Sequence, residues 1–520
     1  MTGKKKGFGL NEVLRHENHQ RPVSRRDFLA QGFTLGAGAV LAPSMLGMLG
    51  LSSSVQAALS SDIAAQLAPC DIAATGSGKI PFICFDLAGG ANIAGSNVLV
   101  GQQGGQLDFL TTAGYSKLGL PGDMIPPVAN PVTGTNDFIN TDFGLAFHSD
   151  SAFLRGIQER AGSRAGNVNG VILPSRSEND TSNNPLNPMY GIYKAGADGE
   201  LLSLIGSRNS ESGGNSMAPA AMIDLSARPT KVDRPSDVTG MVDTGQLIKL
   251  MSKEDAVRVM EAMSRISDTK MSRMITDAAM QKLVSCGYVK SADLVDRFSN
   301  PAALNPQADP DIVGASGIFS SVEFDDDSEF RKTASVMKMV IDGYAGAGTI
   351  SMGGYDYHTG DRSTGERRDL RAGRCMGACL EYAARRNKPL MIYVFSDGSL
   401  SSNGRADNSA DGRGKGEWTS DNQSTAAAFF LVYNPGGRPV LLGGTTEEQA
   451  RHQQIGWFRP DGSLDTSSSV VANNPNLLVE TIVLNYMALN GEAGNFQTLF
   501  PSNGLGNTAL MDSLIAFSAI

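Results

Sequence analysis

Acidic, amide and hydroxyl side chains recur in this chain directly after short apolar runs. Asp86-Leu87-Ala88-Gly89-Gly90-Ala91-Asn92 closes a run that begins at Lys79. Gly353-Gly354-Tyr355-Asp356-Tyr357-His358 closes another, with Asp361 shortly after, and Ser396-Asp397-Gly398 closes a third. Asp421-Asn422 ends a long Gly/Asn/Asp/Ser stretch before the next apolar run. Carboxylates delivered from several strand ends into one crevice repel each other unless a cation sits between them. The pattern points to a divalent metal or an ionic substrate. Any one of these segments is also ordinary turn composition; their recurrence at successive strand ends carries the expectation.

Histidine supply narrows the choice of metal. His16 and His19 lie near the N-terminus, which leaves His148, His358 and His452 in the rest of the chain. A multi-histidine zinc site is hard to build from these. Asp, Asn and backbone oxygens favour Ca²⁺, Mg²⁺ or Mn²⁺ over Zn²⁺. His148 and His452 are expected in structural roles. Cys375 and Cys379 share a face of a predicted helix and read as small buried hydrophobes. Cys70 and Cys286 are available to pair in an oxidising compartment, but no spacing decides it.

The elements that must position the polar groups alternate between strand and helix. Residues 79–85, 167–173, 348–352, 389–395 and 427–433 read as strands. Helices are predicted over about 329–344, 365–386 and 476–490. Residues 252–300 read as helical, with Ser252 as N-cap and Met260, Met263, Met271 and Met274 as a core stripe. The stretches 175–188 and 396–424 read as loops. Strands alternating with helices predict an α/β chain with a mainly parallel sheet covered on both faces. Sites in such sheets lie beyond the carboxyl ends of the strands.

Ser24-Arg25-Arg26-Asp27-Phe28-Leu29 precedes a weakly hydrophobic run over 32–51 that is interrupted by Gly36, Gly38, Pro43, Gly47 and Gly50. With Lys4, Lys5 and Lys6 ahead of it and Val55-Gln56-Ala57 behind, this reads as a twin-arginine export signal cleaved after Ala57. Arg25 and Arg26 are then read by the twin-arginine translocase, which carries proteins already folded. The expectation is a periplasmic or otherwise exported mature chain, with no further run long enough to span a bilayer. The net charge of −9 becomes more acidic once the basic leader is gone. An acidic surface argues against nucleic acid and anionic membrane as partners. A small-molecule or cell-envelope ligand remains.

With these motifs together, the chain resembles the exported bacterial family called domain of unknown function 1501, itself similar in fold to the alkaline phosphatase and sulfatase superfamily. The resemblance covers most of residues 79–460, and Gly353-Gly354-Tyr355-Asp356-Tyr357-His358 is its most specific match. Phe395-Ser396-Asp397-Gly398 resembles the superfamily's strand-end metal aspartate, and Phe143-Gly144-Leu145-Ala146-Phe147-His148 is similar to a family segment ahead of a helix. The resemblance implies a three-layer α/β/α sandwich of alkaline phosphatase-like type. Residues 58–520 would form one domain with a helical insertion at about 245–300. It implies a metal-dependent hydrolase of phosphate or sulfate esters, with Asn92, Asp356, His358, Asp397 and Asp421 around the metal. His358 would be a ligand or a general acid, and Ser96 the hydroxyl nucleophile.

The chain also departs from that family. Ser420-Asp421-Asn422-Gln423 stands where Thr-Asp-His-Gly is common, and Asn92 stands in place of an aspartate. Ile172 occupies the position of the modified cysteine in the sulfatase pattern Cys-x-Pro-Ser-Arg, which excludes formylglycine chemistry. The glycines at 101–105 lack the Gly-Lys-Ser/Thr ending of a phosphate-binding loop. The alternative expectation is a non-catalytic envelope-binding or secretion and assembly accessory protein that keeps the fold.

Overall fold

A computed structural model describes residues 59–70, 72, 76–135, 137–177, 183–242, 251–274, 277–298, 300–360 and 362–520. The twin-arginine pair Arg25 and Arg26, the cleavage site at Ala57 and Asp361 lie outside the described residues. The chain divides into two compact units, residues 1–70 with 244–299, and residues 71–243 with 300–520.

The larger unit is built on a seven-stranded sheet. Its strands are β1 (Phe82–Leu87), β2 (Val168–Pro174), β3 (Leu202–Gly206), β4 (Thr230–Lys231), β5 (Ala345–Met352), β6 (Leu390–Ser396) and β9 (Ala427–Tyr433). Their order across the sheet is β2-β9-β6-β1-β5-β3-β4. The run β6-β1-β5-β3-β4 is parallel, and β9 is antiparallel to both β6 and β2. The sheet is thus mainly parallel, as expected. The direction of β9 follows from the connection before it. The stretch 396–424, read as loop, contains a hairpin of β7 (Leu400–Asp407) and β8 (Lys415–Asp421). That hairpin leads the chain into β9 from the end where β6 finishes.

Strand alternation sorts the side chains into two covered faces. On one face Phe82, Cys84, Met391, Tyr393, Phe395, Phe430 and Val432 share a core with Leu478, Val479, Ile482, Val483 and Tyr486 of helix α4 (Pro475–Leu489). Pro475 at the first turn and the Asn474 cap start that helix. On the other face Phe429 meets Phe153 of α1 (Ala152–Ala161) at 6.0 Å between ring centroids. Helices α2 (Ser328–Ile341) and α3 (Arg362–Arg385) complete that layer. Asp327, the last acid of the 325–327 run, caps α2 by accepting from Glu329 N. Cys375 and Cys379 are buried free thiols on α3, as their spacing suggested. The result is a three-layer α/β/α sandwich.

The smaller unit holds two helices, Lys253–Met274 and Ala278–Arg297. Residues 252–300 are therefore a helical pair broken at Asp277, whose side chain caps the second helix. Ser252 caps the first through Asp255 N. Cys70 and Cys286 are disulfide-bonded. Arg265 pairs with Asp62 at 2.7 Å. Both links tie the segment 59–70 to the helices. Among the described residues no helix is long and apolar enough to cross a membrane.

Candidate functional site

The three parallel strands β6, β1 and β5 end level with one another, Leu87 lying opposite both Met352 and Ser396. The loops that leave them therefore open at one edge. Gly89 sits at φ +124° and donates its N–H to Asp397 Oδ1 at 2.8 Å. A Cβ there would lie 2.4 Å from Asp356 N, so only glycine allows the turns after β1 and β5 to meet. Gly90 N and Ala91 N both donate to Ser396 Oγ, at 3.1 and 2.8 Å. The turn after β1 is thus laid across the ends of its two neighbours.

Asp356, His358 and Asp421 converge at this edge, with ligand atoms that all lie within 4.8 Å of one another. His358 Nε2 is 2.8 Å from Asp356 Oδ1 and 3.8 Å from Asp421 Oδ2. Ligands on opposite sides of a cation are about 4–5 Å apart, given metal–oxygen distances of about 2.1–2.5 Å. The donor set, one imidazole and two carboxylates, suits a divalent ion. All three side chains are at least a third exposed, so an ion has access from solvent.

Asp421 reaches the site through the hairpin. Asp421 pairs with Leu400 across β7 and β8, and Asn422 N donates to Ser399 O at 2.8 Å. Gly360 N donates to Trp418 O at 2.7 Å, and the Arg362 guanidinium lies 4.6 Å from the Trp418 ring. The hairpin is thereby fixed against the loop that carries Asp356 and His358.

Asp397 and Asn92 occupy a deeper layer. Asp397 is fully buried and accepts from Gly89 N and from Asn215 Nδ2, the latter at 3.0 Å. Beside it, Asp86 accepts from Asn215 N, Ser216 N and Ser216 Oγ at 2.6, 2.7 and 3.2 Å. Burial pushes the Asp86 carboxyl up to about 7, and the neighbouring Asp397 charge adds to the shift. Asn215 thus bridges both acids through one backbone and one side-chain donor. Nothing in the spacing of the sequence marks it.

Asn92 is fully buried; its Oδ1 accepts from Ser96 Oγ at 3.0 Å, and its Nδ2 has no partner among the described residues. Ser96 is 1% exposed, so its hydroxyl faces Asn92 within the fold. Asn97 donates to Asn92 O and to Asp369 Oδ2, and Tyr357 OH donates to Asp369 Oδ1 at 3.0 Å. Tyr355 OH donates to Arg368 O at 3.0 Å. The two tyrosines flanking Asp356 therefore anchor the loop that carries Asp356 and His358 to α3. Burial raises the Asp369 carboxyl to about 7. Tyr355 and Tyr357 enter the sequence reading only as members of the 353–358 motif, and Asp369, within a predicted helix, is not marked by it.

His148 and His452 are structural. His148 is buried, stacks on Phe138 at 5.6 Å and has Nε2 at 2.9 Å from Met124 O. Desolvation lowers its pKa to about 4, which keeps the ring neutral. His452 Nδ1 lies 2.6 Å from Ile515 O.

Comparison with protein-family models, curated proteins and solved structures finds no match to this chain. The class established by the coordinates is an α/β/α sandwich with a solvent-exposed cluster of two aspartates and a histidine at the carboxyl edge of its sheet.

Proposed function

We propose that this chain is an exported, metal-dependent hydrolase of phosphate or sulfate esters, related to the domain of unknown function 1501 and to alkaline phosphatase-like proteins. The convergence of Asp356, His358 and Asp421 at the strand ends carries this reading. These three residues would hold a divalent cation. One imidazole beside two carboxylates favours Mn²⁺ over Ca²⁺ and Mg²⁺, which prefer all-oxygen sites. Such an ion, when bound, polarises the ester oxygen and acidifies water. Asp397 and Asp86 act behind it, holding the Gly89 turn and Asn215. Because Ser96 is enclosed, water is the attacking oxygen in this reading. Export through the twin-arginine translocase to the periplasm, prompted by Arg25 and Arg26, belongs to the same proposal.

The test is elemental analysis of protein purified after native export. Wild type is expected to carry about one equivalent of divalent metal. Asp356→Asn is expected to lose it, and the metal-replete wild type to hydrolyse a member of a phosphate and sulfate ester panel. Wild type without stoichiometric metal would sink the proposal. A second reading, a non-catalytic envelope-binding protein, is favoured by the enclosure of Ser96 and by the chain donors already on Asp397. Full metal occupancy with no turnover across the panel selects that reading.

A further inference from the structure

A second polar cleft, of about 670 Å³, opens at the carboxyl ends of β3, β4 and β5. Its volume falls in the range of small-molecule sites. Ser207 and Arg208 enter it from the end of β3, Lys231 from β4, Ser351 from β5, Lys332 from α2, and Asn215 from the loop between β3 and β4. Gly353, three residues before Asp356, also lines it. Three cations thus come from three different elements.

The internal pairings leave one cation and one hydroxyl over. Lys332 Nζ is neutralised by Glu329 at 2.8 Å and donates to Ser351 O at 2.7 Å. Lys231 pairs with Asp233 at 2.9 Å. Arg208 instead meets the neutral Asn215 Oδ1 at 2.5 Å and has no carboxylate partner among the described residues. Ser351 is 3% exposed, yet its Oγ has no hydrogen-bond partner among the described residues. An orphaned buried hydroxyl is destabilising, and a ligand that accepts from it relieves that loss. Asn215 carries the cleft inward, because its side chain joins Arg208 on one side to Asp397 on the other.

We infer that this cleft is an oxyanion-binding subsite, in which Arg208 and the Ser351 hydroxyl receive a tetrahedral phosphate or sulfate group. A planar guanidinium donates to such oxygens in pairs, and a neutral hydroxyl completes the shell. The cleft takes the anion without using Asp356, His358 or Asp421. That the anion belongs to the substrate of the neighbouring site rests on the proposed function; the anion binding itself does not.

Titration calorimetry on chelator-stripped mature protein, with inorganic phosphate and inorganic sulfate in separate arms, tests the assignment. Saturable binding of at least one anion is expected, and the responding arm identifies the group. Arg208→Gln, which removes the guanidinium charge, is expected to weaken it about tenfold or more, and Ser351→Ala about threefold or more. Ser351→Ala is also expected to unfold no earlier than wild type, because it removes an unpaired hydroxyl. Arg459→Gln, on an exposed side chain elsewhere, should change nothing. No saturable binding of either anion, binding indifferent to Arg208→Gln, or a stability loss in Ser351→Ala would overturn the inference. Stripping the metal separates this outcome from failure of the hydrolase reading, which the metal analysis decides.

Discussion

Asp369 shows how a single buried group reports on the loop that carries the site. Its carboxyl is raised from 3.8 to about 7, mainly by burial. The folded protein therefore holds a proton there that the unfolded chain has released between about pH 4 and pH 7. Stability contributed by this group is present below pH 4 and is lost as pH rises towards 7. The slope is at most about 1.4 kcal/mol per pH unit. Asp369→Asn removes the titration while keeping an acceptor for Asn97. Urea denaturation is expected to show the variant gaining on wild type from pH 5 to pH 7. Parallel pH profiles would refute this account of Asp369. Asp86, raised by the same cause, should add a fall of the same sign.

At the scale of elements, the site depends on two close approaches between loops. Gly89 at φ +124° leaves no room for a Cβ beside Asp356 N. Gly89→Ala is expected to cost about 2 kcal/mol or more, from backbone strain and the clash together. Metal content should fall with it, because the Asp356 loop must move. The hairpin is the second device. Trp418 is 1% exposed and packs under Arg362. Trp418→Ala is expected to cost about 3–5 kcal/mol, measured by denaturant unfolding, and to weaken metal binding through Asp421. A variant that unfolded like wild type would show that the hairpin is not what holds Asp421.

On the scale of the whole molecule, the two units carry different covalent constraints. The Cys70–Cys286 disulfide lies wholly within the smaller unit. Cys286→Ser is expected to destabilise that unit by about 2–4 kcal/mol. Metal content, which the proposed site assigns to the larger unit, should not change. Hydrogen exchange resolved by segment would read the two separately. A uniform loss of protection across both units would show that they unfold together.

Much of this organisation was legible in the chain, because local rules dictate it. Continuous apolar runs such as 389–395 become buried strands wherever they are placed. A helix capped by Asn474-Pro475 starts there for local reasons. The polar residues after β1, β5 and β6 could be expected at one edge, since parallel strands point the same way. The hairpin at 400–421 was not legible. Its Ser, Asn, Gly and Asp content reads as loop, and pairing between β7 and β8 is a non-local choice. The direction of β9, set by that hairpin, was hidden with it.

By itself the sequence determined the α/β class and the residue types that stand at the carboxyl edge of the sheet. It also set histidine scarcity, and so the oxygen-rich character of any metal site. Only the tertiary structure decided which of those residues meet. Asp356, His358 and Asp421 are brought together, whereas Asp397 and Asn92 are drawn into a buried layer of internal hydrogen bonds. Those outcomes depend on contacts between residues far apart in the chain, such as Asn215 with Asp86 and Asp397. A hydrogen bond across such a separation leaves no periodicity or spacing behind it. It exists only once packing has set the distance and removed the water that would otherwise compete.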